Sequence, residues 1–340
     1  MTVPMSRRAA LGFGSVAAAT AVFGTAESAA AEEASPSVSA QATPEQAAAA
    51  IGLVYKAAAK KAGGTWNAKV SVEGAAGPIS AVEVGVDDTV ESYSVNKIPV
   101  AIAVLDKVDR GLLALDQRIE VTSAIVIPGG DGIFSLDGAY PSSVTVGHAL
   151  AALLTVSDDT AVRLCGLVAP ALEINQILVA KGFPRTQVEP VANPNRFFLG
   201  TTTPTEMHDL LRALVRGDLL SPASTAYLLG LLRSPIAFTD GVRREMSSDE
   251  RARIATKAGW FDDGRNEAGI VFDTAGEPLL TYAFFARGQA NPEDFGATHP
   301  AVQARAVMGR AFLTILARLT GVTGVATLAP RTPYRPSNGG

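Results

Sequence analysis

Cysteine and histidine are scarce in this chain, and their scarcity bears on two kinds of site. The 340 residues contain one cysteine, Cys165, so no intramolecular disulfide can form. Cys165 falls in an apolar helical pattern, which favours a buried packing role. The three histidines, His148, His208 and His299, are scattered and lack the spacing of metal ligands. We therefore expect no metal site and no cofactor.

Clusters of basic residues are also missing from the sequence. The formal net charge is −4, only 18% of residues are charged, and no basic stripe is interleaved with aromatic residues. This composition gives no support to a nucleic-acid partner. The length and the 47% hydrophobic content suffice for one large domain or two coupled lobes. We expect a monomer that acts on a small molecule.

The N-terminal residues carry the pattern of an export signal. Paired arginines at 7–8 precede an apolar run of small residues that continues to the alanines at 29–31. The arginine pair indicates the twin-arginine type, so we expect a secreted or extracytoplasmic protein. The run is short and rich in alanine and glycine, which argues against a stable membrane anchor. We assign 1–31 to the signal and 32–44 to a flexible leader.

Strand patterns at both ends of the chain enclose a mostly helical middle. This order predicts an α/β (α+β) fold, in which an antiparallel sheet is flanked by N- and C-terminal helices and an all-helical lobe is inserted. We assign 45–320 to one catalytic domain, with a sheet lobe (45–90 and 250–320), a helical lobe (91–249) and a disordered tail (321–340).

One short stretch carries the first candidate for chemistry. Ser94 and Lys97 lie at a predicted helix start, so both side chains project from one face. Unpaired N–H groups and the macrodipole favour negative charge developing on a hydroxyl there, and a lysine of lowered pKa can accept its proton. The plainer alternative is a capping serine beside a solvated lysine, because this two-residue pattern arises by chance about once in such a chain.

Two later segments fall where a Ser–Lys acyl-transfer site needs them. Ser157 lies in a break between predicted helices and can pass a proton to a leaving nitrogen. Lys257 lies at the edge of a late strand and offers a second cation, while Gly259 is expected to keep the strand face open to substrate. The alternatives are a helix cap at 157–159 and a solvated strand lysine.

A third segment offers a carboxylate and an amide four residues apart. Glu189 and Asn193 fall in a polar, proline-containing stretch, 183–203, which we interpret as an irregular loop. The two side chains can hold a water between them. Glu189 on its own is more often an ordinary loop residue, and its partner Asn193 and its place before T-T-T-P favour the site.

Taken together these motifs are specific. The chain resembles class A-type serine β-lactamases of the penicillin-binding-protein-like superfamily, because five motifs occur in the same order. They are S-x-x-K at 94–97, S-D-x at 157–159, E-P-x-x-N at 189–193, T-T-T-P at 201–204 and K-x-G at 257–259. The match covers roughly residues 45–320 and implies a β-lactamase/transpeptidase-like fold.

The resemblance implies roles in forming an acyl-enzyme. Ser94 would attack the lactam carbonyl, and Lys97 would accept or relay its proton. Ser157 would relay a proton to the lactam nitrogen, and Lys257 would be its electrostatic partner and that of the substrate carboxylate. The backbone N–H groups of Ser94 and Trp260 would form the oxyanion hole.

The resemblance also implies how the ester would be hydrolysed. Glu189, with Asn193, would activate the attacking water. Whether Lys97 or Glu189 is the acylation base is left open, as it is for the family. Arg185 lacks the aspartate partner that usually clasps this loop, which leaves the position of the water less constrained.

Several departures from the family pattern concern the substrate. Asp159 stands where an asparagine is usual, so it should hold Lys97 charged and repel anionic ligands. Ala258 removes a hydroxyl that would bind a carboxylate, and Trp260 crowds the edge of the cleft. An arginine is missing from the usual strand position, and Arg265 falls in a predicted turn.

Three functions are compatible with this pattern. The first is a secreted β-lactam hydrolase, favoured by Glu189 with Asn193. The second is a serine esterase, a D,D-peptidase-like enzyme or a natural-product acyl-transfer enzyme, favoured by Asp159 and Ala258. The third is a binding protein that is acylated without turnover. The intact Ser94–Lys97 pair argues against a fully degenerate module.

Overall fold

The computed structural model of the chain describes residues 41–237 and 240–319. The predicted export signal and the predicted tail lie outside these residues. The helices are α1 (Pro44–Ala62), α2 (Lys97–Asp109), α3 (Phe134–Asp137), α4 (Val146–Thr155), α5 (Asp159–Val168), α6 (Ala171–Ala180), α7 (Pro204–Arg216), α8 (Pro222–Arg233), α9 (Ser248–Arg251) and α10 (Pro300–Ala317). The strands are β1 (Thr65–Gly74), β2 (Gly77–Val84), β3 (Val90–Glu91), β4 (Arg118–Val121), β5 (Ser142–Thr145), β6 (Gln187–Pro190), β7 (Phe197–Thr202), β8 (Ile254–Phe261), β9 (Gly264–Phe272) and β10 (Pro278–Arg287).

A five-stranded antiparallel sheet joins the two ends of the chain. Its order is β2-β1-β10-β9-β8, so the N-terminal hairpin pairs with the C-terminal strands through β1 and β10. Apolar residues of the sheet and of the two terminal helices form one core, which includes Ile51, Val70, Phe284 and Phe312. The predicted fold class is confirmed.

The first helix has the local signals that define a helix start and end. Thr43 accepts a hydrogen bond from the backbone of Gln46, and the Gln46 side chain accepts one from Thr43 N–H. This capping box satisfies two of the N–H groups that a helix start leaves unpaired. Gly63, at φ +77°, ends the helix.

A second apolar core surrounds α2. Every residue of α2 from Lys97 to Leu105 is buried, and helices α4 to α8 contribute apolar residues to this core. Cys165 lies in it with 1% of its surface exposed, which confirms the predicted packing role. Since α2 is buried on all sides, Lys97 is held inside the protein.

The stretch predicted as an irregular loop contains two strands. β6 and β7 pair with each other, and β7 also pairs with the short β3. A Cβ at Gly200 would lie 2.2 Å from the carbonyl oxygen of Gln187, so the close approach at the bulge requires glycine. The strands are short and their pairing is tertiary, which explains why periodicity alone missed them.

Within residues 41–237 and 240–319, no single helix is long and apolar enough to cross a membrane. The bent pair of α5 and α6 meets the criteria of length and composition together, and most of its large apolar residues are buried in the second core.

Candidate active site

Ser94 lies in a short 3-10 turn, Tyr93–Asn96, which we call the Ser94 turn. The turn leads directly into α2, so the helix begins at Lys97, three residues later than a helix starting at Ser94 would. Tyr93 has φ +48°, a value that residues other than glycine seldom adopt. The serine is therefore presented on a strained backbone immediately ahead of a buried helix.

Gly259 brings strand β8 against this turn. A Cβ at Gly259 would lie 2.7 Å from the nitrogen of Ser94 and 3.0 Å from the oxygen of Ser92. The missing side chain makes room for the backbone of Ser94, and that Gly259 also keeps the strand face open to substrate stays a prediction. The glycine sets the distance between the strand and the serine.

Lys97 is the centre of a buried polar cluster. Its Nζ donates to the carbonyl oxygen of Ser157 at 2.5 Å, to Ser157 Oγ at 3.1 Å and to Asp159 Oδ1 at 2.9 Å. The side chain of Lys97 is fully buried, whereas that of Asp159 is 36% exposed. Ser157 itself has φ +56°, which turns its hydroxyl toward the cluster at the break before α5.

Lys257 completes the cluster from strand β8. Its Nζ donates to Ser157 Oγ at 3.0 Å and to the carbonyl oxygen of Ala258 at 2.6 Å. One hydroxyl thus accepts hydrogen bonds from two lysines. Asp158, next to Ser157, caps α5 by accepting from Ala161 N–H, so this segment does contain a helix cap, while the catalytic role of Ser157 stays a prediction.

Burial controls the ionisation of both lysines. It lowers the pKa of Lys97, and the opposing charge of Asp159 only partly offsets this effect. Burial also holds the pKa of Lys257 well below its usual value, and the nearby Lys97 charge adds to that effect. Amines that lose their protons more easily are suited to accept a proton from a hydroxyl.

The Ser94 hydroxyl stands apart from this hydrogen-bonded cluster. Among the described residues it makes no hydrogen bond with Lys97 or Ser157, although Lys97 follows it by one turn. The structure therefore joins Lys97, Ser157, Asp159 and Lys257 directly, and brings Ser94 to them through the turn and through Gly259.

Among the described residues, no hydrogen bond joins Glu189 and Asn193. Glu189 is exposed on β6, and its side chain forms no hydrogen bond with any described residue. Asn193 Oδ1 instead accepts from the backbone N–H of Asn195. The backbone beside Glu189 is nevertheless fixed, because the Asn175 side chain both donates to and accepts from the backbone of Val188, each at 2.9 Å.

A family model described as "Beta-lactamase enzyme family" matches residues 31–316, most of the chain. The chain belongs to the β-lactamase enzyme family. As a member of this family it is a serine hydrolase. The resemblance drawn from the five motifs is confirmed.

Relatives within the β-lactamase family are distant. A β-lactamase of Rhodobacter capsulatus is 26% identical over 203 residues, which are 58% of this chain and 68% of that protein. β-Lactamase AER-1 of Aeromonas hydrophila is 25% identical over 195 residues, which are 56% of this chain and 63% of that protein. The matched region thus spans about two thirds of these relatives.

Solved structures of the family share the fold. A β-lactamase from Sphaerobacter thermophilus has a TM-score of 0.65 at 22% identity and covers 80% of this chain and 96% of its own. A mutant of PBP-A, solved as an acyl-enzyme complex with penicillin G, has a TM-score of 0.60 at 20% identity, with 78% and 96% covered. At such identities the likeness concerns the fold.

Arg265 differs from the sequence-based prediction for this β-lactamase-family chain. It lies in strand β9, not in a turn, and is 1% exposed. Its guanidinium donates to four carbonyl oxygens, those of Asp262, Gly264, Pro292 and Asp294. Because these bonds occupy the group inside the protein, Arg265 cannot serve a substrate carboxylate.

Two residues at the site were missed by the sequence analysis. Asp131 N–H donates to Asp159 Oδ2, and Asp159 N–H donates to the carbonyl of Asp131, each at 3.1 Å. Burial and the neighbouring Asp159 raise the pKa of Asp131. Asn96, inside the S-x-x-K motif, is fully buried. No motif spacing marks Asp131, whereas Asn96 could have been noticed as a polar residue before an apolar helix.

A surface cavity of about 570 Å³ adjoins the Ser94 turn at Tyr93. Its lining includes Glu91, Asp263, Asn266 and Arg287, but none of the candidate catalytic side chains. The cavity is therefore separate from the Lys97 cluster, which we regard as the chemical centre because it holds the paired lysines.

Proposed function

We propose that this β-lactamase-family enzyme opens a β-lactam amide through an acyl-enzyme on Ser94. The single observation that carries the proposal is the Ser157 hydroxyl, which accepts hydrogen bonds from the buried amines of Lys97 and Lys257. Such a shared hydroxyl provides a route for a proton between a base and a leaving nitrogen.

Acylation follows from this arrangement. Ser94 Oγ attacks the lactam carbonyl while its proton passes to the neutral amine of Lys97. Lys97 then returns a proton through Ser157 Oγ to the lactam nitrogen as the C–N bond breaks. The result is a Ser94 ester and a free secondary amine, with no net change in the protons of the enzyme.

Two features lower the barrier to that step. The backbone N–H groups of Ser94 and Trp260 form the proposed oxyanion hole, and one such donor contributes about 3 kcal/mol. Gly259, by permitting the 2.7 Å approach to the Ser94 nitrogen, keeps the turn against the strand that supplies the second donor. Lys257 stabilises negative charge on Ser157 and on the substrate.

Hydrolysis of the ester is the less supported half of the reaction. Glu189 is proposed to activate the water with Asn193, and Asn175 fixes the neighbouring backbone. Its carboxylate is exposed and unpaired among the described residues, so the water position is less constrained than the acylation cluster. We expect the acyl-enzyme to form faster than it is hydrolysed.

A second candidate is therefore an acyl-transfer enzyme with slow hydrolysis: an esterase, a D,D-peptidase-like enzyme, a natural-product acyl-transfer enzyme or an acylated binding protein. The observation that favours it is the anionic edge made by Asp131 and Asp159, together with the internal use of Arg265. These features disfavour anionic β-lactams. PBP-A, in a mutant form, is a fold neighbour captured as a penicillin G acyl-enzyme.

Turnover of a chromogenic cephalosporin separates these candidates. Sustained turnover that is lost in Ser94→Ala supports the hydrolase. A burst of one equivalent supports the acylated binding protein. No reaction with the cephalosporin, together with activity on simple esters, supports the esterase, D,D-peptidase-like or natural-product acyl-transfer enzyme. Glu189→Ala should prolong the acyl-enzyme at least about 100-fold, the low end of what a general base contributes; unchanged breakdown would remove Glu189 from the mechanism.

We also propose that the enzyme is exported through its N-terminal residues. The paired arginines and the apolar run support this. N-terminal sequencing of the protein recovered outside the cytoplasm should begin near residue 32, and replacing both arginines with lysine should block its export.

A further inference from the structure

Asn96 connects the Ser94 turn to a different part of the fold. Its side chain is fully buried, and Nδ2 donates to the carbonyl oxygens of Leu199 at 2.7 Å and Thr201 at 3.0 Å. A longer bond of 3.4 Å reaches the carbonyl of Gln187. One amide thus ties the residue between the nucleophile and its lysine to the β6–β7 hairpin.

The other end of the turn is tied to the same strand. Ser92 N–H and Ser92 Oγ both donate to the carbonyl oxygen of Gly200, at 3.0 and 2.8 Å. The carbonyls of three consecutive residues of β7, at 199–201, therefore accept hydrogen bonds from residues on both sides of Ser94. We call residues 92–96 the arch: Ser94 lies at its middle, and both of its ends are hydrogen-bonded to β7.

The backbone of this arch needs such support. Tyr93 has φ +48°, and strained conformations persist only where the surroundings impose them. Strand β8 also approaches within a distance that only Gly259 allows. A small relaxation of the arch would move Ser94 relative to Lys97, and displacements of about 1 Å can reduce a reaction rate on the order of 100-fold.

We infer that Asn96 is a positioning residue for acylation, which holds the Ser94 turn in its strained, reactive geometry through the carbonyls of Leu199 and Thr201. This inference rests on the proposed acylation of Ser94. The hydrogen bonds of the Asn96 side chain within the described residues all go to the β6–β7 hairpin and not to the lysine cluster, so we expect its effect to be on geometry and not on ionisation.

A purely structural role is the alternative, and the chain offers a matched control. Asn67 is also a buried asparagine, 2% exposed, whose Nδ2 donates to the carbonyl oxygen of Gly85 at 3.1 Å and to Asp88 Oδ2 at 2.8 Å. In both residues Oδ1 lacks a hydrogen-bond partner among the described residues. Asn67 lies on β1, and these two hydrogen bonds go to Gly85 and Asp88, not to the Ser94 turn. The two alanine variants therefore lose similar interactions at different places.

The test measures the rate constant for acylation of the full chain by a chromogenic cephalosporin, with the Ser94 adduct counted by mass spectrometry so that only folded, reactive protein enters the rate. Asn96→Ala should acylate at least about 30-fold more slowly than wild type, with an unshifted pH profile. Asn67→Ala should lose thermal stability but keep the wild-type rate constant. Ser92→Ala, which retains its backbone bond to Gly200, should fold normally and slow acylation about threefold.

Each outcome decides the matter. If Asn96→Ala and Ser92→Ala both acylate at the wild-type rate, the inference is overturned while the proposed function stands. Should Asn96→Ala fail to fold, the slower acylation of Ser92→Ala supports the arch and an unchanged rate rejects it. A shifted pH profile would assign Asn96 to electrostatics instead. If wild type forms no adduct on Ser94, the proposed function fails and the inference falls with it.

Discussion

Lys97 Nζ lies 2.9 Å from Asp159 Oδ1, so the lysine that follows the nucleophile by one turn is paired with a carboxylate. The pair joins a fully buried amine to a side chain that is 36% exposed. The carboxylate favours the charged amine, and burial opposes it more strongly. Asp159 therefore regulates how much neutral amine is present to act as a base.

Replacing the carboxylate of Asp159 should favour β-lactams. Asp159→Asn removes a charge that stabilises protonated Lys97 and a charge that repels anionic substrates, so we expect penicillin acylation to rise about 3–30-fold. Second-order acylation constants measure this. Asp218→Asn, which breaks the exposed pair with Arg216, should leave the acylation constant unchanged. A lower rate in Asp159→Asn would show that the real substrate uses the acid.

The pH dependence of acylation should report Lys97. Because its folded pKa is lowered from 10.5, the rate should rise with pH and level off below pH 10.5. In Asp159→Asn the rising limb should move to lower pH, since the group that raises the pKa has gone. Stopped-flow acylation between about pH 5 and 10 tests this, and a limb that moves upward would exclude Lys97 as the base.

The buried amine of Lys257 should lower the free energy of unfolding, although acylation needs it. The amine is fully buried and forms no ion pair with a described carboxylate, unlike Lys97. Its folded pKa is lowered, so the unfolded chain binds more protons and stability rises with pH up to about 10.5. Near pH 7, Lys257→Met should unfold at a higher temperature, because its free energy of unfolding rises by on the order of 1 kcal/mol. The same variant should acylate poorly.

The stability gain of Lys257→Met should shrink as the pH approaches the ordinary lysine pKa, because the unfolded wild-type lysine is then neutral too. Lys69→Met, at a surface pair, should bring no such gain. Thermal unfolding at several pH values measures both variants. A destabilised Lys257→Met at pH 7 would mean that its hydrogen bond to Ser157 outweighs the burial of charge.

A methyl group at Gly259 should displace the nucleophile. Gly259→Ala would place a Cβ 2.7 Å from the Ser94 nitrogen, so β8 or the turn must move, and acylation should fall at least about 100-fold. Gly230→Ala is the control. No atom beyond its own helix backbone lies within 4 Å of the added Cβ, and the free energy of unfolding should rise by about 0.5–1 kcal/mol at this helical position. Near-normal acylation by Gly259→Ala would show that the close approach is not needed.

Sequence reasoning reached the parts of the site that local pattern determines. Ser94, Lys97, Ser157 and Lys257 lie in motifs whose spacing follows from helix and strand periods, and the structure gathers the last three by hydrogen bonds. The fold class followed from strands at both ends of a helical middle.

The parts that were missed depend on tertiary contacts. Asp131 N–H donates to the Asp159 carboxylate, and Asp159 N–H donates to the Asp131 carbonyl, so a glycine-rich loop meets a helix start in a contact that no spacing encodes. The hairpin of β6 and β7 is held by Asn96 and Asn175, which hydrogen-bond to its backbone from other elements. Arg265 was expected in a turn because the preceding Asp-Asp-Gly is a turn signal. Strand β9 instead begins at the glycine of that signal, Gly264.

The most direct test of the account is an intact mass spectrum of the purified enzyme after exposure to penicillin G, followed by digestion to locate the adduct. We predict one added acyl group per chain, carried by the peptide that contains Ser94, and no adduct in Ser94→Ala. An adduct elsewhere, or β-lactam hydrolysis that persists in Ser94→Ala, would contradict the account.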